Sequence, residues 1–442
     1  MVGGLSAYED LGTEREPKEE LVMNTTAVDS LSQTTYKLTP LTAVLGGQML
    51  FVAFGALVLV PLLTGLDPNV ALFTAGVGTL LFQIVTRGQV PVFLASSFAF
   101  IAPIIYGTQT WGLPATLCGL AAAGVMYAIL SVAVKLGGVQ FLHTLLPPVV
   151  IGPVIMVIGI ILAPVAVNLA MGKTGDGSAV LVPYVTALPV ATVSLLAVVL
   201  LSILGRGLLR LLSILCGLGV GYGLALVLGL VDFAPVIDAP WLRMPAFVAP
   251  QWSWPAIVFI APVAIAPAIE HFGDILTIGS VTGRDYVARP GIHRTLLGDG
   301  IATFVAAILG GPPNTTYSEV TGAVTITRAF NPAIMTCAAV IAILLAFVGK
   351  VGGLLQTIPT PVMGGLLVIL FGAIIVVGLN LLVKSGQNLL EARNLAIVAL
   401  VLVTGVGGLS VGSAEWALKG IGLAGIMGVV VNLILPGRVK LA

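Results

Sequence analysis

From residue 42 almost to its end the chain reads as a succession of apolar stretches, each long enough to span a bilayer and parted by short polar or Gly/Pro-bearing breaks. The pattern predicts spans near 42–65, 69–86, 91–108, 112–134, 147–169, 181–204, 207–230, 254–280, 295–311, 313–328, 330–349, 358–378, 394–409 and 415–436. That is an all-α polytopic membrane protein of fourteen segments. Segments 91–108 and 313–328 stand apart, being short and interrupted by Pro, Gly and polar residues, and the stretch 358–409 can be divided in more than one way. Residues 1–38 are polar and without periodicity, and read as a disordered tail. They lack the basic start and apolar stretch of a signal peptide.

Composition sharpens this picture. Of 442 residues 58% are hydrophobic and 8% charged, too few charges to cover a water-soluble surface, so lipid is the solvent of most of the chain. A net charge of +1 gives no electrostatic basis for binding nucleic acid. Fourteen crossings put both ends on one side. If that side is cytoplasmic, the inner loops hold Arg87, Lys135, Arg206, Arg210, Arg284, Arg289, Arg294, Arg328, Lys384, Arg393, Arg438 and Lys440, while the outer loops hold Lys173, Arg243, Lys350 and Lys419. This is the positive-inside bias of a multi-pass protein of the cell membrane with both termini in the cytoplasm. Cys118, Cys216 and Cys337 are widely spaced within apolar runs and read as core residues, and neither a metal pattern nor a cofactor motif is present.

The chain also repeats itself. Gly78, Phe82, Pro91 and Ser96 recur as Gly300, Phe304, Pro313 and Ser318, each 222 positions later. Lys135 to Gly138, Pro148 and Gly152 recur as Lys350 to Gly353, Pro361 and Gly365, and Phe54-Gly55 returns as Phe272-Gly273. Seven spans separate the equivalents. An odd number reverses the direction of crossing, which predicts an inverted-topology repeat of the kind found in secondary transporters.

Polar chemistry at membrane depth is expected in two places. The first is the run Ala264 to Asp274, in which Glu270 falls near the middle of its helix and Asp274, four residues on, shares its face. Two carboxylates so close in a low-dielectric site do not both ionise easily, so the pair is suited to carry a proton. His271, about 100° around the helix, reads as a packed or hydrogen-bonded histidine. The second place is Gly310 to Gly322. Gly-Gly-Pro-Pro cannot continue a helix. Asn314 suits a turn, Thr315 to Tyr317 favour extended backbone, and a half-helix is expected from Ser318 and Glu319 onward. Its mate, Gln89 to Phe98, has the same design, with Ser96 and Ser97 at the start of a half-helix. Two interrupted segments at matching positions point to a binding site between them, with free backbone N–H groups as donors. Gly217 to Gly223 lies within an apolar span without a Walker lysine and reads as a packing face.

Glu319-Val-Thr-Gly322 through Thr327-Arg328, together with Gln48 to Pro61, Ser96-Ser-Phe98, Asn314 to Tyr317, Glu270-His271 and Pro361 to Gly365, resembles the nucleobase/ascorbate transporter family, and within it the bacterial uracil permeases. The resemblance covers about residues 40–436. It implies two inverted seven-segment repeats with short strands in segments 3 and 10. It also implies a core domain (39–136 and 250–350), a gate domain (137–232 and 351–437), elevator-type movement and a homodimer. In the implied site Glu270 and Glu319 hold the base, backbone amides near Phe98 and Ser318 meet its carbonyls, and Phe98 and Tyr317 pack beside the ring, with Ser97 adjoining. Glu319 in place of Gln favours a pyrimidine. Three departures stand out: Val320 replaces the signature Asn, and Asp274 and Met49 stand where a bacterial uracil permease has histidines, the one at the Asp274 position implicated in proton coupling.

The reading is therefore a proton-coupled symporter of a nucleobase, uracil foremost, with Asp274, Glu270 and Glu319 as proton-coupling residues. Its alternatives are a purine (xanthine or uric acid) permease of the same family and an anion transporter of the related sulfate/bicarbonate architecture. An anion site would favour a basic residue facing the half-helix starts, and Arg328 lies a full half-helix away. A membrane enzyme has no supporting residues beyond the carboxylate pair.

Overall fold

The computed structural model describes residues 34–206, 208–412 and 417–436. Its helices follow the apolar stretches closely: α1 (Pro40–Thr64), α2 (Pro68–Val85), α3 (Ile101–Trp111), α4 (Leu113–Gly138), α5 (Pro148–Ala170), α6 (Tyr184–Leu204), α7 (Ser213–Val227), α8 (Ala234–Asp238), α9 (Trp254–Thr282), α10 (Ile292–Ile308), α11 (Ser318–Thr327), α12 (Ala333–Ala346), α13 (Gly349–Gln356), α14 (Thr360–Lys384), α15 (Ala392–Val406) and α16 (Gly420–Ile434). Among the described residues seven of these, α1, α2, α4, α5, α6, α9 and α14, are long and apolar enough to cross a membrane, and α7, α12, α15 and α16 are shorter apolar helices. The ambiguous stretch 358–409 resolves into α14 and α15. Side chains such as Val185, Leu204, Val227 and Val383 point outward, more than two-thirds exposed. With so many large apolar groups on its surface, the molecule is a mostly helical polytopic fold of membrane type.

Local chemistry explains the helix ends. Thr39 and Thr42 cap α1 reciprocally, each side chain accepting the other's backbone N–H at 3.2 and 2.9 Å, and Pro40 fills the first position where its missing N–H costs nothing. Gly65, at φ 74°, closes the helix in the left-handed region. Asp67 then caps α2 through the Asn69 N–H at 2.8 Å.

Two short strands, β1 (Leu94–Ser96) and β2 (Asn314–Thr316), pair antiparallel in the register Leu94 with Thr316, Ala95 with Thr315 and Ser96 with Asn314. Asn314 is thus a buried strand residue and not part of a turn, because Pro312 and Pro313 end the preceding chain before it. A second hairpin, β3 (Ser410–Gly412) with β4 (Ala417–Lys419), precedes α16.

Small residues set the closest helix crossings, as expected where lipid provides no hydrophobic drive and close contact of backbones must serve instead. A Cβ on Gly300 of α10 would lie 2.8 Å from Tyr127 Cβ of α4, and one on Gly78 of α2 would lie 3.0 Å from Ala302 of α10. Of the repeated glycines, Gly78, Gly300, Gly152 and Gly365 are therefore contact points, whereas Gly138 and Gly273 face open space. In α7, Gly217 and Gly221 pack on Ser194 and Val198 of α6, whereas Gly219 and Gly223 face open space.

The expected disorder of residues 1–38 fails at its end. Tyr36 and Lys37 are tied to α12 and the residues just before it, through the Tyr36 hydroxyl to Thr336 Oγ1 (3.1 Å) and a reciprocal pair of bonds between the Lys37 backbone and the Asn331 amide (3.3 and 2.8 Å). The tail's first 33 residues lie outside the described residues.

Candidate functional site

The β1–β2 pair is buried, and each strand stands between a long helix before it and a short one after it. Beyond β1 a single 3-10 turn, Phe98–Phe100, leads into α3. Beyond β2 the chain enters α11 directly at Ser318, with Tyr317 as its N-cap residue and Glu319 in its first turn. Neither helix start is capped by a side chain. A carboxylate in a first turn complements the positive end of the helix.

A cavity opens at these starts, with about 660 Å³ of empty space including its mouth, in the range of small-molecule sites. Ser96, Ser97, Phe98, Thr315, Thr316, Tyr317, Glu319 and Glu270 line one side, and Ile155 and Ile158 of α5 with Leu370, Ile374 and Val377 of α14 line the other. The Phe98 ring lies 6.4 Å from that of Tyr317, tilted by 39°, and meets Phe371 edge-on at 6.2 Å.

Of the residues expected from the sequence, the structure thus brings Glu270, Glu319, Phe98, Ser97 and Tyr317 to one cavity. Asp274, one turn beyond Glu270, is buried and is not among the lining residues. The backbone of Ser318 begins α11, while its side chain lies outside the described residues. The apolar wall from α5 and α14 was not foreseen, since its residues differ in no visible way from lipid-facing ones.

The strands are stitched to their surroundings by buried side chains. Thr79 of α2 accepts the Leu94 N–H at 2.9 Å, and Gln83 donates to the Val90 carbonyl at 2.9 Å. Thr303 of α10 donates to the Asn314 carbonyl at 2.9 Å. The Thr316 N–H goes to Asp299 Oδ2 at 3.2 Å. His271 is fully buried, with Nδ1 2.9 Å from that same carboxylate oxygen and 3.2 Å from Thr316 Oγ1, and Nε2 2.8 Å from Thr295 Oγ1. The expectation of only two polar places at membrane depth is thereby corrected: Asp299 is a third. Its signal was available, an acidic residue inside an apolar span, by the same rule that singled out Glu270.

The chain matches a family model described as "Permease family" (Xan_ur_permease) over residues 41–413. It is 54% identical over 391 residues to a "Probable uracil permease" of Haemophilus influenzae, covering 88% of this chain and 93% of that one. It is 42% identical to the "Uracil permease" of Bacillus subtilis, covering 88% and 91%, and 37% identical to that of Escherichia coli K12, covering 88% and 89%. Among solved structures it resembles SLC26A9, with a TM-score of 0.66 at 13% identity over 97% of this chain and 72% of that one. It also resembles the transmembrane domain of the cyanobacterial bicarbonate transporter BicA, with a TM-score of 0.60 at 15% identity over 91% and 100%. At those identities the likeness concerns the fold alone. The family match spans most of the chain and agrees with the identities to its relatives, so this protein belongs to the Permease family, a family of transporters and not of enzymes.

Proposed function

We propose that this protein carries uracil across the cell membrane together with a proton. The observation that carries the reading is that two acidic residues from different elements, Glu270 of α9 and Glu319 of α11, line one cavity with two strand-interrupted crossings. Uracil presents two N–H donors and two C=O acceptors along its edge. Carboxylates accept from the former, and uncapped backbone N–H groups at the starts of the Phe98 turn and α11 donate to the latter. Phe98 and Tyr317 offer ring surface for a flat base. The names of the relatives support a nucleobase as the cargo.

In this reading the fourteen segments form two inverted repeats. Leu94 and Thr316, residues at matching repeat positions, face each other at one end of the β1–β2 ladder, which supports a two-fold relation between the halves. The core (39–136 and 250–350) carries the strands and the carboxylates. It moves as an elevator against a gate (137–232 and 351–437) whose α5 and α14 supply the apolar wall. Both termini lie in the cytoplasm, the molecule works as a homodimer, and Asp274 takes part in proton coupling behind Glu270. An anion as cargo is disfavoured, since two carboxylates and no cation are among the lining residues.

Uptake of labelled uracil into proteoliposomes under an imposed pH gradient tests the proposal. Accumulation is expected to require the gradient, to collapse with a protonophore, and to be lost in Glu270→Gln. Accumulation that ignores the protonophore removes proton coupling, and normal uptake by the variant removes the site.

A further inference from the structure

Behind the cavity wall the hydrogen positions of the His271 cluster can be counted. Thr295 has one hydroxyl hydrogen, and the Ile292 carbonyl takes it at 3.0 Å. With its hydrogen so placed, the Thr295 oxygen is left to accept from His271 Nε2 at 2.8 Å, which assigns to the ring the tautomer carrying a hydrogen there. On the far side of the ring, Nδ1 lies 2.9 Å from Asp299 Oδ2. The same oxygen already accepts the Thr316 N–H. One hydrogen must then lie between Nδ1 and Oδ2. Drawn on nitrogen it gives an ion pair, and drawn on oxygen it gives two neutral groups.

We infer that His271 and Asp299 are positioning residues, whose shared proton locks β2 against α9 and thereby fixes how Glu270 and Glu319 stand relative to one another. The geometry leaves few other roles. His271 follows Glu270 on α9, and Thr316, held through its N–H and with its hydroxyl oxygen 3.2 Å from His271 Nδ1, precedes Glu319 by three residues. The inference rests on the carrier reading for what those carboxylates do.

An amide cannot replace the carboxylate. In Asp299→Asn, an amide oxygen in the place of Oδ2 would accept from Thr316 but face an imidazole whose Nε2 hydrogen is committed, leaving either a lone pair against a lone pair or a buried imidazolium without a counter-ion. With the amide turned over, its nitrogen would oppose the Thr316 N–H. Replacing both members removes the conflict: in His271→Asn/Asp299→Asn the amide introduced at position 271 donates to the amide oxygen introduced at position 299, which still accepts from Thr316.

Two measurements on the full-length protein test this. Uracil binding by calorimetry, without any gradient, is expected to weaken on the order of tenfold or more in Asp299→Asn and to return to within roughly threefold of wild type in the double variant. Hydrogen exchange over residues 314–319, read without ligand, is expected to be slow in wild type and the double variant and fast in Asp299→Asn. Wild-type binding and exchange in Asp299→Asn would overturn the inference, as would a double variant no better than the single. If Asp299→Asn does not fold, the double variant decides by the same thresholds. A wild-type protein that ignores uracil overturns the carrier reading instead, and the exchange measurement still decides the lock.

Discussion

The two strand-bearing segments are built to one plan and hold their strands differently. Leu94 and Thr316 occupy matching repeat positions and face each other across the β1–β2 ladder. Each turns its amide away from the partner strand into the protein. The Leu94 N–H meets a neutral hydroxyl, Thr79, while the Thr316 N–H meets Asp299, which is itself tied to His271. The difference continues along the chain. Ser97 stands 222 positions before Glu319 and Phe98 before Val320, so the first half offers a ring and a small hydroxyl where the second offers a carboxylate. The comparison teaches that the two segments share a scaffold for opening backbone in the interior, while the carboxylates among the cavity's lining residues come from the second half alone, from α9 and α11.

The sharpest way to break that comparison is to remove charge from the second half. Glu319→Gln keeps the shape but exchanges a charged acceptor for an amide, at an expected cost of about 2–3 kcal/mol, roughly 30- to 150-fold in uracil affinity. Calorimetry on purified protein reads it. An affinity within a factor of two of wild type would mean that the second half holds no special role in binding.

The anchors come next, and they are read as stability. Thr79→Val is nearly isosteric and leaves the Leu94 N–H buried without its acceptor, costing about 1–3 kcal/mol. Thr303→Val removes only a donor to the Asn314 carbonyl and is expected to cost about 1 kcal/mol. Thermal unfolding in detergent should rank the two in that order. Equal losses would show that both halves depend on their threonine stitches alike.

Much of this plan was legible beforehand, and the reasons for the rest are physical. Helices were readable because membrane depth requires every backbone group to be satisfied within its own segment, so apolar length alone marks them. The broken segments were readable because Gly310 to Pro313 and Pro91 exclude helix. The stitches were not. Thr79 corresponds by repeat to position 301, whereas the hydroxyl that serves the second strand is Thr303, so no alignment of the halves pairs them. The wall of Ile155, Ile158, Leu370 and Ile374 was hidden for a different reason: an apolar residue facing a cavity and one facing lipid satisfy the same rule. Residues 34–38 read as tail on polarity, yet Asn331 supplies the partners that the Lys37 backbone needs.

Ring surface is a smaller contribution than charge. Phe98→Leu keeps apolar volume but removes the face set against Tyr317 and the edge contact with Phe371. The expected loss of uracil affinity is about 0.5–1.5 kcal/mol, roughly two- to tenfold. A series of bases differing in ring size would sharpen the result, since the loss should grow with the area the ring covers. A loss that is the same for every base would assign Phe98 to packing within the protein.

The smallest effect is expected where the first half holds the counterpart of Glu319. Ser97 lines the cavity, but its backbone already donates to the Pro313 carbonyl at 2.9 Å and its hydroxyl does not cap the turn that follows. Ser97→Ala removes one oxygen at a position that lines the cavity. The change in uracil affinity should therefore stay below about 0.5 kcal/mol, roughly a factor of two. Measured beside Glu319→Gln under identical conditions, it compares two matched positions directly. If Ser97→Ala costs as much as Glu319→Gln, the hydroxyl contacts the base as strongly as the carboxylate does, and the division between a scaffold half and a charged half gives way to a symmetric site.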